Sequence, residues 1–196
     1  MLKTKIGEIE LKNPVIAASG TFAYGEEFSK YIDLNKLGGV SSNGITLSPK
    51  DGNPGQRIYE TPSGMMNSVG LQNPSVASFI DNKFKFMKSF EYETIVNLSG
   101  NCLNDYVEGA KLLEKEDFNI IELNISCPNV KEGGMAFGMT CDAAETVVSA
   151  IKEVSTKHIM VKLSPNAFNL SEVARACEAA GADSLSLVNT FNALAI

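Results

Sequence analysis

The fold is decided by a short apolar stretch that ends in polar residues, Ile120-Ile121-Glu122-Leu123-Asn124-Ile125. Large apolar residues on both faces of so short a segment are typical of a strand in a parallel sheet that helices cover on each side. Comparable strands are predicted at Pro14–Ala18, Gly39–Ser42, Thr94–Leu98, Ile159–Leu163 and Ser184–Val188. Stretches of helical period separate them, so the sequence predicts an α/β protein.

Helices are predicted where a capping residue precedes an amphipathic stretch. They run from Asn104 or Asp105 through Glu116, from Asp142 through Val154, and from Asn169 or Ser171 through Ala180, with Gly181 as the stop of the last one.

Two further segments have patterns of their own. Lys3–Ile6 and Glu8–Leu11 alternate polar and apolar residues around Gly7, which predicts an N-terminal β-hairpin. Ser48 to Asn73 is rich in proline and glycine and predicts a long ordered loop over an active site. Because no repeat, low-complexity tract or linker interrupts the chain, residues 1–196 are predicted to form a single domain.

Composition argues against several classes of protein. The 196 residues are 44% hydrophobic, and 17 basic against 23 acidic residues give a net charge of −6, so neither nucleic acid nor an anionic membrane surface is an expected partner. No apolar run approaches the roughly 20 residues of a membrane span. The widely spaced Cys102, Cys127, Cys141 and Cys177, with His158 as the one histidine, favour neither disulfides nor a metal site. A cytoplasmic location is expected.

The choice between a doubly wound sheet and a (β/α)8 barrel depends on where the polar residues fall. No GxGxxG turn follows the first strand, which weakens the dinucleotide-binding alternative. Polar residues lie at or just beyond the carboxyl end of every predicted strand, where barrel enzymes place their chemistry: Ser19-Gly20, Asn43-Gly44, Asn97, Asn124, Lys162 and Asn189-Thr190. We therefore predict an incomplete (β/α)8 TIM barrel with about six βα units.

Cys127 is a candidate base or nucleophile because it directly follows a predicted strand and precedes Pro128. A thiol, with a pKa of about 8.5, can take up a proton near neutral pH once its surroundings lower that value slightly. A free cysteine is more often a small buried apolar residue, and that interpretation is kept for Cys102, Cys141 and Cys177.

Lys162 is a cation at the end of an apolar strand, where an unpaired ammonium group is costly to bury. A reduced flavin would suit it, since negative charge develops at the N1 and O2 edge of the ring. Two other interpretations remain open: the Schiff-base lysine of an aldolase, and a rim lysine paired with a carboxylate such as Glu122.

Uncharged donors and acceptors complete the set of candidate residues. Asn67, Asn124, Asn129, Asn189 and Thr190 fit a planar heterocycle with amide edges, although each alone is more often a turn residue. His158 precedes a strand, at the wrong end for barrel chemistry, and is interpreted as structural.

Together these segments resemble the dihydroorotate dehydrogenase family, most closely the catalytic subunit of its NAD-linked class 1B. The likeness runs in order through Asn13–Thr21, Gly52–Arg57, Glu60–Asn73, Glu122–Asn129, Val161–Pro165 and Val188–Thr190. It covers nearly the whole chain, and the long loop and the Ser-Cys-Pro-Asn segment are its specific features.

The resemblance implies an FMN-dependent barrel that oxidises dihydroorotate to orotate in pyrimidine (UMP) synthesis, with Cys127 taking the C5 proton as hydride leaves C6 for FMN. The residues implied to bind FMN are Ser19, Asn43, Gly44, Asn97, Asn124, Lys162 and Val188. Those implied to bind substrate are Asn67, Ser68, Val69, Gly70, Leu71, Asn124, Asn129, Asn189 and Thr190. A partner subunit carrying FAD and an iron–sulfur cluster would pass electrons to NAD, and the complete protein would form a homodimer.

Two departures from the family pattern bear on activity. Asn43-Gly44 stands where the family has Lys-Gly, so a cation expected near flavin and substrate is missing. The chain ends at Ile196, before the later barrel loops that often hold a phosphate, and Phe191 to Leu194 lacks the family's usual glycine. An inactive fragment or scaffold, or an aldolase using Lys162, therefore remains the alternative.

Overall fold

The main sheet forms from short strands that are mostly apolar and, at its centre, buried on both faces. The computed structural model describes residues 2–126 and 137–194. Within them the strands are β1 (Thr4–Ile6), β2 (Ile9–Leu11), β3 (Ile16–Ala17), β4 (Gly39–Ser41), β5 (Ile58–Thr61), β6 (Gly64–Asn67), β7 (Glu93–Leu98), β8 (Ile120–Asn124), β9 (His158–Lys162) and β10 (Ser184–Ser186). Six of them form a parallel sheet in the order β10-β9-β8-β7-β4-β3. All six predicted strands are confirmed, with ends that differ by one or two residues.

Helices lie between the strands along the chain and bury one apolar face each. They are α1 (Val76–Phe79), α2 (Lys85–Met87), α3 (Leu103–Leu113), α4 (Cys141–Lys152) and α5 (Leu170–Ala179), with a π-helical turn Ile80–Phe84 between α1 and α2 and 3-10 turns at Phe28–Lys30 and Leu34–Lys36. In α4 the buried residues are Ala144, Val147, Val148 and Ile151, the spacing of a single helical face. Residues 76–87 were not predicted to be helical.

The helix termini test the predicted caps. Asn169 accepts a 3.3 Å hydrogen bond from the backbone N–H of Glu172 and caps α5, while Gly181 follows that helix with φ of +99°. Both predictions are confirmed. The predicted starts of the other two helices are wrong by one to three residues, because α3 follows Cys102 and α4 follows Thr140.

Two antiparallel hairpins flank the sheet. The predicted N-terminal hairpin is present as β1–β2, with Gly7 in its turn at φ of +55°. The predicted loop from Ser48 to Asn73 has no long element, but it does contain the short hairpin β5–β6. Most residues of β5 and β6 are exposed, among them the apolar Ile58, Tyr59 and Met65, so little of this hairpin is buried.

The concave side of the sheet changes from apolar to polar along the strands. Side chains two residues apart point to the same face, and Ile95, Ile120 and Met160 form a small apolar cluster there with Ile6 and Ile9 of the hairpin. Two residues further along the same strands stand Asn97, Glu122 and Lys162. The carboxyl ends of the strands therefore carry the polar layer.

The hydrogen bonds of one carboxylate, that of Glu122, show that the sheet is curved. Ser41 on β4 donates a 2.6 Å hydrogen bond to Oε2 of Glu122, and Ser186 on β10 donates a 2.9 Å hydrogen bond to Oε1 of the same side chain. Strands β4 and β10 are four positions apart in the sheet, which would separate them by about 19 Å if the sheet were flat. The sheet is curled, as six units of an incomplete (β/α)8 barrel require. No helix in the described part of the chain is long and apolar enough to cross a membrane.

Candidate active site

Three of the predicted residues meet at the carboxyl ends of the strands. Lys162 at the end of β9 donates a 2.8 Å hydrogen bond to Oγ of Ser19, which follows β3. The side-chain amide of Asn97 on β7 donates to the same oxygen at 3.2 Å. The curled sheet thus brings together side chains from three separate strands and leaves one ammonium group at their centre.

Glu122 lies beneath this group and is 4% exposed. Its carboxylate accepts hydrogen bonds from Ser41, from Ser186 and, at 2.6 Å, from Nδ2 of Asn97. Burial, the largest influence, raises the pKa of Glu122, but the charge of Lys162 and these three hydrogen bonds together outweigh it and lower that pKa below its usual value. The side chain is therefore an ionised carboxylate at neutral pH.

The alternative of a rim lysine paired directly with Glu122 is not what the structure has. Lys162 is 8% exposed and makes no direct salt bridge within the described ranges; its hydrogen bond goes to Ser19. Its positive charge acts on Glu122 through space, while the hydrogen-bonded side chains of Ser19 and Asn97 connect the two residues. The ammonium keeps donor capacity for a further group, since it has three hydrogens.

Asn97 presents one unsatisfied acceptor. The residue is fully buried, and its Oδ1 has no hydrogen-bond partner among residues 2–126 and 137–194. A Cβ placed on Gly44 would come within 2.9 Å of that oxygen and 2.7 Å of Cδ1 of Leu71. A buried acceptor without a partner is uncommon in folded proteins, so this oxygen is left for a donor that residues 2–126 and 137–194 do not supply.

A second polar group joins the ends of β8 and β10. Oδ1 of Asn124 accepts hydrogen bonds from Oγ of Ser126 at 2.5 Å and from Nδ2 of Asn189 at 3.2 Å. Asn189 also donates to Ser126, and its own Oδ1 accepts from the backbone N–H of Thr190 at 2.7 Å. Three predicted residues, Asn124, Asn189 and Thr190, are therefore neighbours, with Ser126 among them.

The long loop reaches the same end of the sheet through its last residues. Leu71, with φ of +55°, approaches Gly44, and Asn43 donates a 2.8 Å hydrogen bond to the backbone carbonyl of Gln72. Gly70 has φ of +76° and leaves no room for a side chain, because a Cβ there would lie 2.6 Å from the backbone N of Asn53. The end of the loop is thereby fixed against β4.

The remaining predicted residues are placed differently. Asn67 and Ser68 are exposed at the end of the β5–β6 hairpin, and no described contact joins them to the polar groups above. Val69 accepts a backbone hydrogen bond from Asn53 at 3.0 Å, and Val188 is half-buried beyond β10. Cys127 and Asn129 lie outside the described residues.

Comparison with known proteins identifies the family. The whole chain, residues 1–196, matches the family model described as dihydroorotate dehydrogenase.

The chain belongs to the dihydroorotate dehydrogenase family.

Its relatives carry more specific names. It is 52% identical over 194 residues to the dihydroorotate dehydrogenase B (NAD(+)) catalytic subunit of Petrotoga mobilis, a match that covers 99% of this chain and 65% of the relative. The proteins of the same name from Bacteroides thetaiotaomicron and Thermoanaerobacter pseudethanolicus are 50% and 45% identical, each over 100% of this chain and 65% of its own length. The chain thus spans about 65% of the length of these curated relatives.

Dihydroorotate dehydrogenases are flavin-dependent as a family, and the described residues fit a flavin. The unpaired Oδ1 of Asn97 suits a ring N–H group, and Lys162 suits an edge on which negative charge develops. The neutral amides of Asn124 and Asn189 suit the amide edges of a pyrimidine. Membership of this family gives no support to the Schiff-base aldolase alternative.

Sequence reasoning missed two polar residues at the carboxyl ends of the strands in this member of the family. Ser126 stands between Asn124 and Cys127 in the segment that gave the family signal, and its position there could have marked it. Asn166 follows the strand that ends at Lys162 and donates a 3.2 Å hydrogen bond to the carbonyl of Thr190. Ser126 lies two residues and Asn166 four residues beyond a strand end, near the positions that identified the other residues.

The amino-terminal ends of the strands carry a cleft of about 580 Å³, away from these residues. His158 lies in it, with Nε2 2.8 Å from Oγ of Ser184, and its pKa is lowered chiefly by burial. Lys152 there pairs with Asp183 at 2.9 Å. Because Lys152 and Asp183 are paired with each other, neither of these charges indicates a ligand site in the cleft. In the described part of the chain, no three His, Cys, Asp or Glu side chains are grouped to hold a metal ion.

Proposed function

We propose that this protein is the catalytic subunit of an FMN-dependent dihydroorotate dehydrogenase, which oxidises dihydroorotate to orotate in pyrimidine synthesis. The observation that carries the proposal is the convergence of Lys162, Ser19 and Asn97 at the carboxyl ends of the strands in a chain that matches the family over its whole length. Residues 1–196 would belong to one FMN-binding barrel domain.

The reaction removes a proton from C5 and a hydride from C6 of dihydroorotate. Two electrons leave with the hydride, and the remaining pair forms the C5–C6 double bond of orotate. Cys127 is proposed to take the C5 proton, because a thiolate is a competent base near neutral pH without a further activating residue. When bound, FMN would accept the hydride.

The side chains around Lys162 would bind and orient the flavin. Lys162 would donate to its anionic edge, and the Oδ1 of Asn97 would accept a hydrogen bond from a ring N–H. Ser19, Asn43, Gly44, Asn124 and Val188 would complete the contacts. Because Lys162 and Asn97 are buried and already oriented by protein partners, little conformational entropy would be lost when the ring binds.

The pyrimidine would lie between the loop and the end of β10. Asn124, Asn189 and Thr190 offer amide and hydroxyl groups within one hydrogen-bonded cluster, which supports their assignment to the substrate's amide edges. Asn67, Ser68, Val69, Gly70, Leu71 and Asn129 are proposed to complete that site.

Electrons would leave through a second subunit. The named relatives are catalytic subunits of NAD(+)-linked enzymes, so we propose an electron-transfer partner with FAD and an iron–sulfur cluster, and a homodimer of the complete protein. The cysteine pattern underlies the proposed cytoplasmic location.

The test is to express the complete reading frame, purify the protein with FMN, and add dihydroorotate without oxygen. We expect bound flavin, loss of its oxidised absorbance, and one orotate formed per flavin reduced. A protein that binds no flavin, or whose flavin is not reduced by dihydroorotate, would contradict the proposal. A lysine adduct trapped by borohydride would favour an aldolase instead.

A further inference from the structure

The buried carboxylate of Glu122 has no role in the proposed proton or hydride transfer, yet its hydrogen bonds connect four strands of the sheet. It accepts three hydrogen bonds, from Ser41, Asn97 and Ser186, and so links β8 to β4, β7 and β10. Burying an ionised carboxylate is expensive even with partners, and an apolar residue of similar size can stabilise a core as well or better. A purely structural role does not account for a charge at this position.

The charge of Glu122 determines how Asn97 is oriented. An ionised carboxylate can only accept hydrogen bonds, so Asn97 must turn its NH2 group toward Oε2 of Glu122, at 2.6 Å. The second hydrogen of that NH2 group goes to Ser19 at 3.2 Å. The opposite atom, Oδ1, is thereby presented as an acceptor beside Gly44. A neutral amide in place of Glu122 would permit either orientation of Asn97.

The same arrangement controls Ser19 and Lys162. Oγ of Ser19 accepts hydrogen bonds from both Asn97 and Lys162, so its own hydrogen remains for another acceptor. Lys162 is held by Ser19 rather than by direct contact with the carboxylate, and its ammonium therefore stays at the carboxyl ends of the strands. The two charges nevertheless attract each other through space, since the charge of Lys162 lowers the pKa of Glu122.

We propose that Glu122 is a positioning residue: its carboxylate fixes Asn97 as an acceptor, holds Lys162 in place through Ser19, and offsets the positive charge that Lys162 would direct at the flavin. This inference rests on the proposed flavin-dependent function. It assigns to Glu122 a share in setting how strongly the site prefers reduced over oxidised flavin.

The test compares variants of the FMN-loaded protein expressed from its complete reading frame. Glu122→Gln keeps the shape and removes the charge, so the reduced, anionic flavin should gain affinity relative to the oxidised form by about tenfold, the scale of a single charge acting across a protein interior. For a two-electron couple that ratio is a midpoint potential about 30 mV more positive.

Glu114→Gln is the matched control. Glu114 also accepts three hydrogen bonds, from Oγ of Ser155 and from the backbone N–H and Oγ1 of Thr156, but these residues lie toward the amino-terminal ends of the strands. Its removal should leave the midpoint potential unchanged. Glu122→Asp keeps the charge in a shorter side chain. Its ratio of affinities for reduced and oxidised flavin, obtained from the midpoint potential by the same conversion, should stay within about threefold of the wild-type ratio.

The outcomes separate the two levels of the proposal. FMN binding by the wild type, with no difference between Glu122→Gln and Glu114→Gln, would overturn this inference and leave the proposed function intact. A shift in Glu122→Asp as large as that in Glu122→Gln would also overturn it, because shape rather than charge would then be decisive. If Glu122→Gln does not fold, as judged by circular dichroism, Glu122→Asp is compared with wild type instead, and a tenfold change in the affinity ratio despite the retained charge would overturn the inference. Failure of the wild type to bind FMN would overturn both proposals.

Discussion

The side-chain amide of Asn43 donates a 2.8 Å hydrogen bond to the backbone carbonyl oxygen of Gln72 and so connects the end of β4 to the long loop. The family has a lysine at this position, and a lysine side chain has more than one donor hydrogen with which to reach both a carbonyl and a ligand. In this protein the amide serves the loop, and the positive charge is missing.

The substitution Asn43→Lys should therefore tighten orotate binding, by about 1–3 kcal/mol if the new ammonium makes a charge-assisted hydrogen bond to the substrate carboxylate. Titration calorimetry of the FMN-loaded protein with orotate measures the change. Asn119→Lys, at an exposed position beside Glu93 at the start of β7, is the control and should have no effect on orotate affinity. Equal affinities for wild type and Asn43→Lys would show that the site is adapted to asparagine.

Replacing Cys127 by alanine should slow reduction of the bound flavin by dihydroorotate at least 10²-fold, about the contribution of a positioned general base. Orotate affinity should change much less, because proton transfer occurs only from dihydroorotate. Anaerobic stopped-flow absorbance gives the rate, and Cys102→Ala, at a free cysteine, is the control. Reduction at near wild-type rate in Cys127→Ala would remove this thiol from the mechanism.

Gly44→Ala should weaken both the fold and flavin binding. The new methyl group would lie 2.7 Å from Cδ1 of Leu71 and 2.9 Å from Oδ1 of Asn97, so both neighbours must move. Overpacking of this kind costs about 1–3 kcal/mol in the free energy of unfolding, measured by urea denaturation. Gly64→Ala is the matched control, because the nearest atom to its Cβ, Oγ1 of Thr61, lies 3.8 Å away.

The lowered pKa of Glu122 predicts a pH dependence of stability. A carboxyl group with a lower pKa in the folded state stabilises the protein above its unfolded value of 4.5 and loses that contribution as the pH falls through the folded value. The unfolding free energy of wild type minus that of Glu122→Gln should therefore decrease from pH 7 toward pH 3.

Glu93 gives a control of opposite sign. Its pKa is raised, chiefly by burial, so its ionisation destabilises the folded state above pH 4.5. The unfolding free energy of wild type minus that of Glu93→Gln should therefore increase as the pH falls. Parallel trends for Glu93→Gln and Glu122→Gln would contradict the assignment of both shifts.

Strands and site residues were predictable to different extents. The strands could be predicted because their apolar runs are short and lie between helical stretches, and the polar residues at their ends followed from the geometry of parallel strands. The family signal in Glu122 to Asn129 added the chemistry. Strand β3, predicted as Pro14–Ala18, is shorter than predicted, since Pro14 has no N–H to donate to a neighbouring strand.

The missed elements have physical causes. The hairpin β5–β6 was missed because its two short strands lie within a stretch rich in proline and glycine, a composition typical of a loop. The helical residues 76–87 have a Ser75 cap and buried Val76, Phe79, Phe84 and Met87, a pattern that could have been recognised. The role of Glu122 could not, because its partners Ser41 and Ser186 come together only when the sheet curls.

The polar contacts beneath the site also bear on the order of folding. Lys162 and Ser19 are separated by 143 positions in the chain, and Ser41 and Glu122 by 81. Contacts between such distant residues close large loops and form late, after local helices and neighbouring strands have assembled. We therefore expect the site to be among the last parts of the molecule to become complete, so that ligand binding at it reports on a chain whose strands have all reached their final register.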